Sequence, residues 1–180
     1  MAAWCAFRDM RSDSVTRNHD SADVDGPGDV PEDAFESIYN ALYDRLVRLA
    51  RLTSADTVPA EEIVQDAFVQ LYRRWSSVRE PAAYLRIAVV NGCRSWGRRR
   101  RVQPRPSQQR PPEPVLEGDA LAVREALRIL SPRQRAAVVL RYFEDLPEAE
   151  IAHVLGCRPG TVMSLLSRSM TKLKGALGDD

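Results

Sequence analysis

Residues 131–174 read SPRQRAAVVLRYFEDLPEAEIAHVLGCRPGTVMSLLSRSMTKLK. Ser131, Pro132, Arg133 and Gln134 form a capping box with proline at the first helical position. The helix they open runs through Val138, Val139, Tyr142 and Phe143. Leu146 and Pro147 start a second helix, with Ile151, Ala152 and Leu155 inward. Gly156 ends it, because glycine accepts the left-handed conformation needed past a helix end. Pro159 opens a third helix, whose Val162, Leu166, Leu173 and Leu177 lie along one face. Thr161, Met163, Ser164, Ser167, Arg168 and Thr171 fall on the other face. Two helices joined by a turn of about four residues containing glycine are the signature of a helix-turn-helix, whose second helix lies in the DNA major groove. Ala152 is small where the two helices must cross closely.

Upstream of this module, residues 102–118 carry prolines at 104, 106, 111, 112 and 114. Proline lacks an N–H and locks φ, so this stretch reads as a linker. As polyproline II it would reach roughly 50 Å, and as a coil roughly 25 Å. Residues 32–101 show three stripes of 3.6-residue period. The first holds Ala34, Phe35, Ile38, Tyr39, Leu42, Leu46 and Leu49. The second holds Ile63, Val64, Ala67, Phe68, Leu71, Tyr72 and Trp75, and the third Leu85, Ala88, Val89, Gly92 and Trp96. Pro59 and Pro81 stand where the last two would start. Residues 1–31 carry six Asp and three Arg with little apolar periodicity, so they read as a disordered acidic tail. The expected fold is all-α: two small helical domains, 32–101 and 119–180, joined by the Pro-rich linker 102–118.

Length and composition agree. The 180 residues allow one domain or two small ones. Lys and Arg total 26 against 25 Asp and Glu, so no wholly basic coat exists unless charge is segregated. It is: Arg94, Arg98, Arg99, Arg100, Arg101, Arg105 and Arg110 lie within 94–110 with no acid among them. Like charges repel, guanidinium forks onto phosphate oxygens, and a polyanion partner is expected in preference to a merely solvated tail. Tyr84 and Trp96 precede the run as core aromatics or as platforms for unpaired bases. Glu61, Glu62 and Asp66 crowd the start of the second stripe, where acids offset the helix macrodipole. Glu150 and His153 have di-iron spacing, but such sites need two copies and the chain has two histidines. Cys5, Cys93 and Cys157 form no disulfide framework or zinc pair, and Cys93 and Cys157 read as buried small hydrophobes. No nucleophile constellation, Gly-rich phosphate loop or paired carboxylates appear, so neither an enzyme nor a cofactor is expected. No apolar run reaches membrane-spanning length and no signal peptide is read, so a cytoplasmic chain with reduced thiols is expected.

An acid-fronted helix, an aromatic–arginine helix, a proline linker and a helix-turn-helix, in that order, resemble the extracytoplasmic-function sigma factors of bacterial RNA polymerase. The resemblance covers roughly residues 33–178 and is closest to actinobacterial members, in keeping with 24 Arg to 2 Lys. VPAEEIVQDAFVQLYRRW is similar to the helix that grips the β′ coiled coil, PAAYLRIAVVNGCRSWGRRRR to the helix that melts and reads the minus-ten element, and the final module to the domain that reads the minus-thirty-five element. The resemblance implies binding to the β and β′ subunits of core polymerase and to promoter DNA, with promoter melting, no metal and no catalysis. It implies that Glu62, Gln65, Asp66 and Phe68 dock the core, with Phe68 equally open to a pure core role. It implies a base pocket from Ser76, Ser77, Val78 and Arg79 with Tyr84 after it, and duplex contacts by Asn91, Arg94 and Arg98, Arg99, Arg100 and Arg101. Minus-thirty-five contacts fall to Arg158, Gly160, Thr161, Met163, Ser164, Ser167, Arg168, Thr171 and Lys172. An anti-sigma partner is typical of the family. The rivals are a helix-turn-helix regulator without sigma activity, an RNA-processing enzyme with an arginine-rich arm, and an adaptor to polymerase or an inhibitor.

The recognition helix departs from the family. Where relatives commonly read GTVKSRLHRAR this chain reads GTVMSLLSRSM, so Met163, Leu165, Ser167 and Met170 stand in place of Lys, Arg, His and Arg. Arg158 stands where a capping serine is common, and the loop 76–81 is shorter than in many relatives. Loss of about three phosphate contacts flattens the salt dependence of DNA affinity by nearly ~3 log units per log unit of salt. Promoter binding measured across a salt series is expected to show this shallow slope. A slope as steep as that of a fully basic relative, lost on changing Arg168 alone, would show the departure to be immaterial.

Overall fold

In the computed structural model the described residues are 30–54, 59–102 and 119–177. Apart from edge residues, the sequence-based acidic tail and Pro-rich linker lie outside them. The elements are α1 (Glu32–Thr53), α2 (Ala60–Arg73), a 3₁₀ turn (Trp75–Ser77), α3 (Pro81–Val102), α4 (Asp119–Arg128), α5 (Pro132–Tyr142), α6 (Glu148–Leu155) and α7 (Pro159–Leu177). The described residues contain no strand. None of their helices is long and apolar enough to cross a membrane.

Helices α1, α2 and α3 pack mutually and form the first module. Its centre is aromatic. Phe35 meets Phe68 edge-on at 6.0 Å and Tyr72 at 5.4 Å, and Tyr39 lies 4.7 Å from Phe68 and stacks on Tyr43 at 4.9 Å. Edge-to-face and offset pairs at such distances add to the burial of apolar area. Trp75 closes the cluster 5.8 Å from Phe35, which ties the 3₁₀ turn after α2 to the start of α1. The expected stripe of α1 holds at Phe35, Tyr39, Leu46 and Leu49, but Ala34 is exposed.

The stripe of α3 is rotated from its expected setting. Leu85, Val89, Val90 and Cys93 are buried, whereas Ala88, Gly92 and Trp96 are half-buried. Both α1 and α2 press on α3. A helix wedged between two neighbours buries a wider arc than one leaning on a single neighbour. The arginine run does not hang off this helix as a tail: α3 continues through it to Val102.

The second module keeps its predicted punctuation. The Gln134 N–H donates to Ser131 Oγ at 3.4 Å and the Ser131 N–H to Gln134 Oε1 at 3.1 Å, completing the capping box. Gly156 has φ +60° and ψ +50°, and the Cys157 N–H donates to the Ala152 carbonyl at 2.9 Å, closing α6. Tyr142, through which the predicted helix runs, is 63% exposed at the end of α5. Cys157 is half-buried, less covered than expected. Along α7 the stripe of Val162, Leu166 and Leu173 passes through Ser169, which is fully buried and satisfies itself by donating to the Leu165 carbonyl at 2.6 Å.

Helices α2 and α3 approach each other closely at Gly92. A Cβ built on Gly92 would sit 2.7 Å from Cγ2 of Ile63, a buried, β-branched and hence stiff side chain. Gly97, five residues further along the same helix, has nothing within 4 Å of such a Cβ. Replacing a helical glycine by alanine gains up to ~1 kcal/mol of helix propensity, and overpacking costs about 1–3 kcal/mol. Gly92→Ala is therefore expected to destabilise by about 1 kcal/mol and Gly97→Ala to stabilise by a similar amount. Thermal denaturation followed by circular dichroism distinguishes them, and a Tm at or above the parent's for Gly92→Ala would show that Ile63 yields.

Candidate nucleic-acid and partner interface

The first turn of α2 carries Glu61 and Glu62, where the helix N-terminus stabilises negative charge. Arg51, near the end of α1, is paired with Glu61 across the gap between the helices. Glu62 and Asp66, one turn apart on α2, are exposed and keep their carboxylates outward. Gln65 beside them is half-buried and lies near Tyr43. Phe68 is fully buried in the aromatic cluster, so of its two readings the geometry gives it the core one. It supports the acidic edge from behind and presents no surface of its own.

An open groove of about 480 Å³ runs between α2 and α3. Glu62 and Asp66 stand on one wall, and Tyr84, Asn91 and Arg99 on the other. Ile63 and Gly92 also line it, and there the two helices are in close contact. In the sequence the acidic and the aromatic–arginine residues stand as two separate sites. The fold sets them across one cleft with opposite charge on its two sides. Asn91, Arg94, Arg98 and Arg99 are exposed, and Arg98 donates to Ser95 Oγ at 3.4 Å. Asn91, Arg94 and Arg98 recur at helical spacing, so they form one ridge along α3. The side chains of Arg100 and Arg101 lie outside the described residues.

The loop before α3 is apart from this groove. Ser76, Ser77 and Arg79 are exposed and Val78 is half-buried, and none of the four lines the cleft that Tyr84 enters. Ser77 Oγ donates to the Arg74 carbonyl at 2.9 Å, which holds the turn tight. The expected pocket of loop residues plus Tyr84 is thus divided between two places.

On α7 the outward face comes out as predicted. Arg158, Gly160, Thr161, Met163, Ser164, Ser167, Arg168, Thr171 and Lys172 are all exposed. Ser164 donates to the Gly160 carbonyl at 3.0 Å and Thr171 to the Ser167 carbonyl at 3.2 Å. Each hydroxyl proton is used within the helix, so these side chains offer oxygen lone pairs to a partner. Lys172 leans back and donates to Gln134 Oε1 at 3.4 Å. Met163 is 57% exposed, a large apolar group in the middle of the face.

Several residues that organise this surface escaped the sequence reading. Arg135 is almost fully buried, donating to the carbonyls of Leu127 at 2.8 Å and Leu130 at 2.9 Å. Glu144 is buried beside Arg45 and Arg86 of the first module. Nothing local marks them, because their partners lie on other elements.

Comparison with known proteins follows the same division. A family profile described as Sigma-70 region 2 matches residues 38–102, and one described as Sigma-70, region 4 matches residues 120–173. The chain is 34% identical over 151 residues to the RNA polymerase sigma-E factor of Streptomyces coelicolor, covering 79% of this chain and 85% of the relative. It is 35% identical over 153 residues to the ECF RNA polymerase sigma factor SigM of Mycobacterium tuberculosis, covering 81% of this chain and 78% of the relative. Among solved structures, the sigma factor RpoE of Bartonella quintana, in complex with the anti-sigma factor NepR, superposes with a TM-score of 0.68 at 25% identity, covering 80% of this chain and 96% of that one. CnrH, in complex with the cytosolic domain of CnrY, shares the fold at a TM-score of 0.62 and 22% identity, over 81% of this chain and 88% of that one.

The tyrosines behind the acidic edge give a measurable signature. Burial, with added repulsion from Tyr43 and Asp44, pushes the Tyr39 phenol up to about 12, and burial also raises Tyr43 against the opposing pull of Gln65. The unfolded chain ionises a tyrosine near ~10. Stability is therefore full below that pH and is lost as pH rises from there towards the folded value. An alkaline titration is expected to show a late-ionising tyrosine, with the fold, read by circular dichroism, weakening over the same range. Tyr39→Phe is expected to remove that component; an unchanged alkaline profile would place the sensitivity elsewhere.

Proposed function

From its membership of the sigma-70 family, in the extracytoplasmic-function branch, the chain is an RNA polymerase sigma factor, and we propose that its α2–α3 groove is where core docking and minus-ten recognition meet. The observation that carries this is the pairing of exposed acids on α2 with exposed Asn91 and Arg99 and half-buried Tyr84 across one cleft. Glu62 and Asp66, with Gln65 between them, offer carboxylates to a basic partner surface on core polymerase. Phe68 and the rings around it hold that edge rigid.

On the facing helix, Arg94 and Arg98, with Arg99 and the following Arg100 and Arg101, track duplex phosphates, which supply affinity without sequence information. Asn91 reads a base edge beside them. Opening the duplex costs a few kcal/mol of unstacking per flipped base, and an aromatic platform returns ~1–3 kcal/mol. Tyr84 is that platform on the groove side, while Ser76, Ser77, Val78 and Arg79 meet the strand from the loop. In the second module α7 enters the major groove of the minus-thirty-five element. Gly160 and Thr161 lie at its leading end, Arg158 and Arg168 contact phosphate or guanine, and Ser164, Ser167 and Thr171 accept hydrogen bonds. Lys172 must leave Gln134 to join them. Met163 contributes apolar contact.

On this reading the chain acts by binding rather than by catalysis, needs no cofactor, and works in the cytoplasm where polymerase resides. An anti-sigma factor is a partner consistent with the complex in which RpoE was solved. A helix-turn-helix regulator acting alone is not favoured, since it has no use for the acidic edge of α2.

Run-off transcription with core polymerase and a promoter library tests the assignment. Asp66→Arg reverses an exposed charge without touching the core. It is expected to cut transcript and co-elution with core polymerase by at least about tenfold, about 1.4 kcal/mol, with helicity unchanged. Full transcription by that variant would remove α2 from the docking surface.

A further inference from the structure

The leading half of α7 carries no charge. From Pro159 to Ser167, nine consecutive residues are uncharged, with Arg158 just before them and Arg168 just after. In a helix-turn-helix the first residues of the second helix meet base edges, while phosphate contacts fix its position. This half of α7 therefore brings no side-chain cation to phosphate and no guanidinium fork to guanine. What it turns outward are hydroxyls and one large apolar group. The Ser164 hydroxyl has given its proton to the Gly160 carbonyl, so its oxygen is left to accept. Val162 is fully buried, and Leu165 and Leu166 are half-buried. Met163, 57% exposed, is the large apolar side chain this stretch shows to solvent.

A single exposed apolar side chain is ordinary on a protein surface. Met163 differs by its place. It is the fifth residue of a helix that begins at Pro159. Its neighbours one turn away along the helix are Pro159, Gly160, Leu166 and Ser167, none of them charged. A Cβ built on Gly160 would have nothing within 4 Å, so the approach from the helix start is open. Long side chains in a helix lean back towards its N-terminus, which directs a methionine here to that open end. The thioether is polarisable and turns about three bonds, so it adapts to a small apolar partner. The major groove offers such a partner in the C5-methyl that thymine alone of the four bases carries.

We propose that Met163 is a specificity-determining residue that reads a thymine C5-methyl in the minus-thirty-five element. The assignment rests on the function proposed above, in which α7 lies in the major groove of that element. Where relatives commonly carry lysine, a cation holds phosphate and treats all sequences alike. Methionine gives up that attraction and makes a contact that only a base can supply. Ser164 beside it accepts a hydrogen bond from the exocyclic amine of adenine or cytosine, so the two neighbours ask for different bases. The shallow salt dependence expected of this helix and its methyl contact thus follow from one and the same residue.

Promoter duplexes selected from the library by transcription with core polymerase serve as the probe. Each thymine of the minus-thirty-five element, on either strand, is replaced in turn by deoxyuridine, which keeps the pairing and removes only the methyl. Binding by the full chain with core polymerase is expected to fall about fourfold, about 0.8 kcal/mol, at one position. At that position a duplex carrying 5-methylcytosine is expected to bind more tightly than one carrying cytosine by the same factor. Met163→Ala is expected to be blind to the methyl in both comparisons, with any effect at other thymines unchanged. Met163→Lys is expected to be blind to it too, and to steepen the salt dependence by nearly ~1 log unit per log unit of salt. The side chain is exposed, so both variants are expected to keep the parent's helicity by circular dichroism. The assignment is overturned if the selected element holds no thymine, or if no methyl matters to the parent. It is equally overturned if the methyl effect survives in Met163→Ala, which would leave the side chain free for a protein partner. Scrambling the whole element separates these results from a failure of the underlying reading. Unchanged binding of the parent to the scrambled duplex removes α7 from that element altogether, whereas weakened binding without methyl dependence overturns the role of Met163 alone.

Discussion

The close crossing of α2 and α3 at Gly92 is the contact on which the functional surface depends. A missing Cβ lets α3 approach until Ile63 fills its place. That approach makes the two helices the walls of one open groove rather than two separate ridges. Val90 and Cys93 of α3 are buried, Cys93 against the Ala50 carbonyl of α1, which leaves Asn91 and Arg94 outward. The aromatic cluster fixes the other edge of the same unit. Phe35, Phe68, Tyr72 and Trp75 converge at 5.4–6.0 Å on Phe35, which locks the acid-bearing helix to α1 and the following turn to both. The proposed docking edge therefore stands on a rigid base, as a surface built for a specific partner requires.

The second module spends its polar groups differently. The hydroxyls of Ser164 and Thr171 on α7 donate into their own helix, and Ser169 does so while fully buried where α7 packs. What the helix shows outward is lone pairs, Met163 and few cations. Such a face has less of the nonspecific phosphate attraction that dominates most DNA contacts. Arg135 uses its guanidinium inward, on carbonyls at helix ends where the macrodipole is negative. Charge that a basic DNA-binding module would display is here part of the internal structure.

Burial of α5 on both sides joins the two halves of the molecule energetically. Alone, the helix-turn-helix would expose the face of α5 that α1 now covers. The seam combines apolar cover with a buried carboxylate, Glu144, seated beside Arg45 and Arg86.

The sequence by itself marked where α2, α3, α5, α6 and α7 begin, where α6 ends, and most of the apolar face of α1, α2 and α7, because caps, prolines, Gly156 and 3.6-residue stripes act over a few residues of chain. The capping box at Ser131, the left-handed Gly156 and the outward face of α7 were all legible for that reason. Periodicity records that a face is covered but not by what. The core setting of Phe68, the rotation of α3 and the exposure of Tyr142 were therefore decided only when helices met. The groove joining acids to arginines, and the bridge from Arg45 to Glu144 across 99 residues, depend on tertiary packing alone. Their partners are far apart in the chain, and no local physical preference of either residue announces the other.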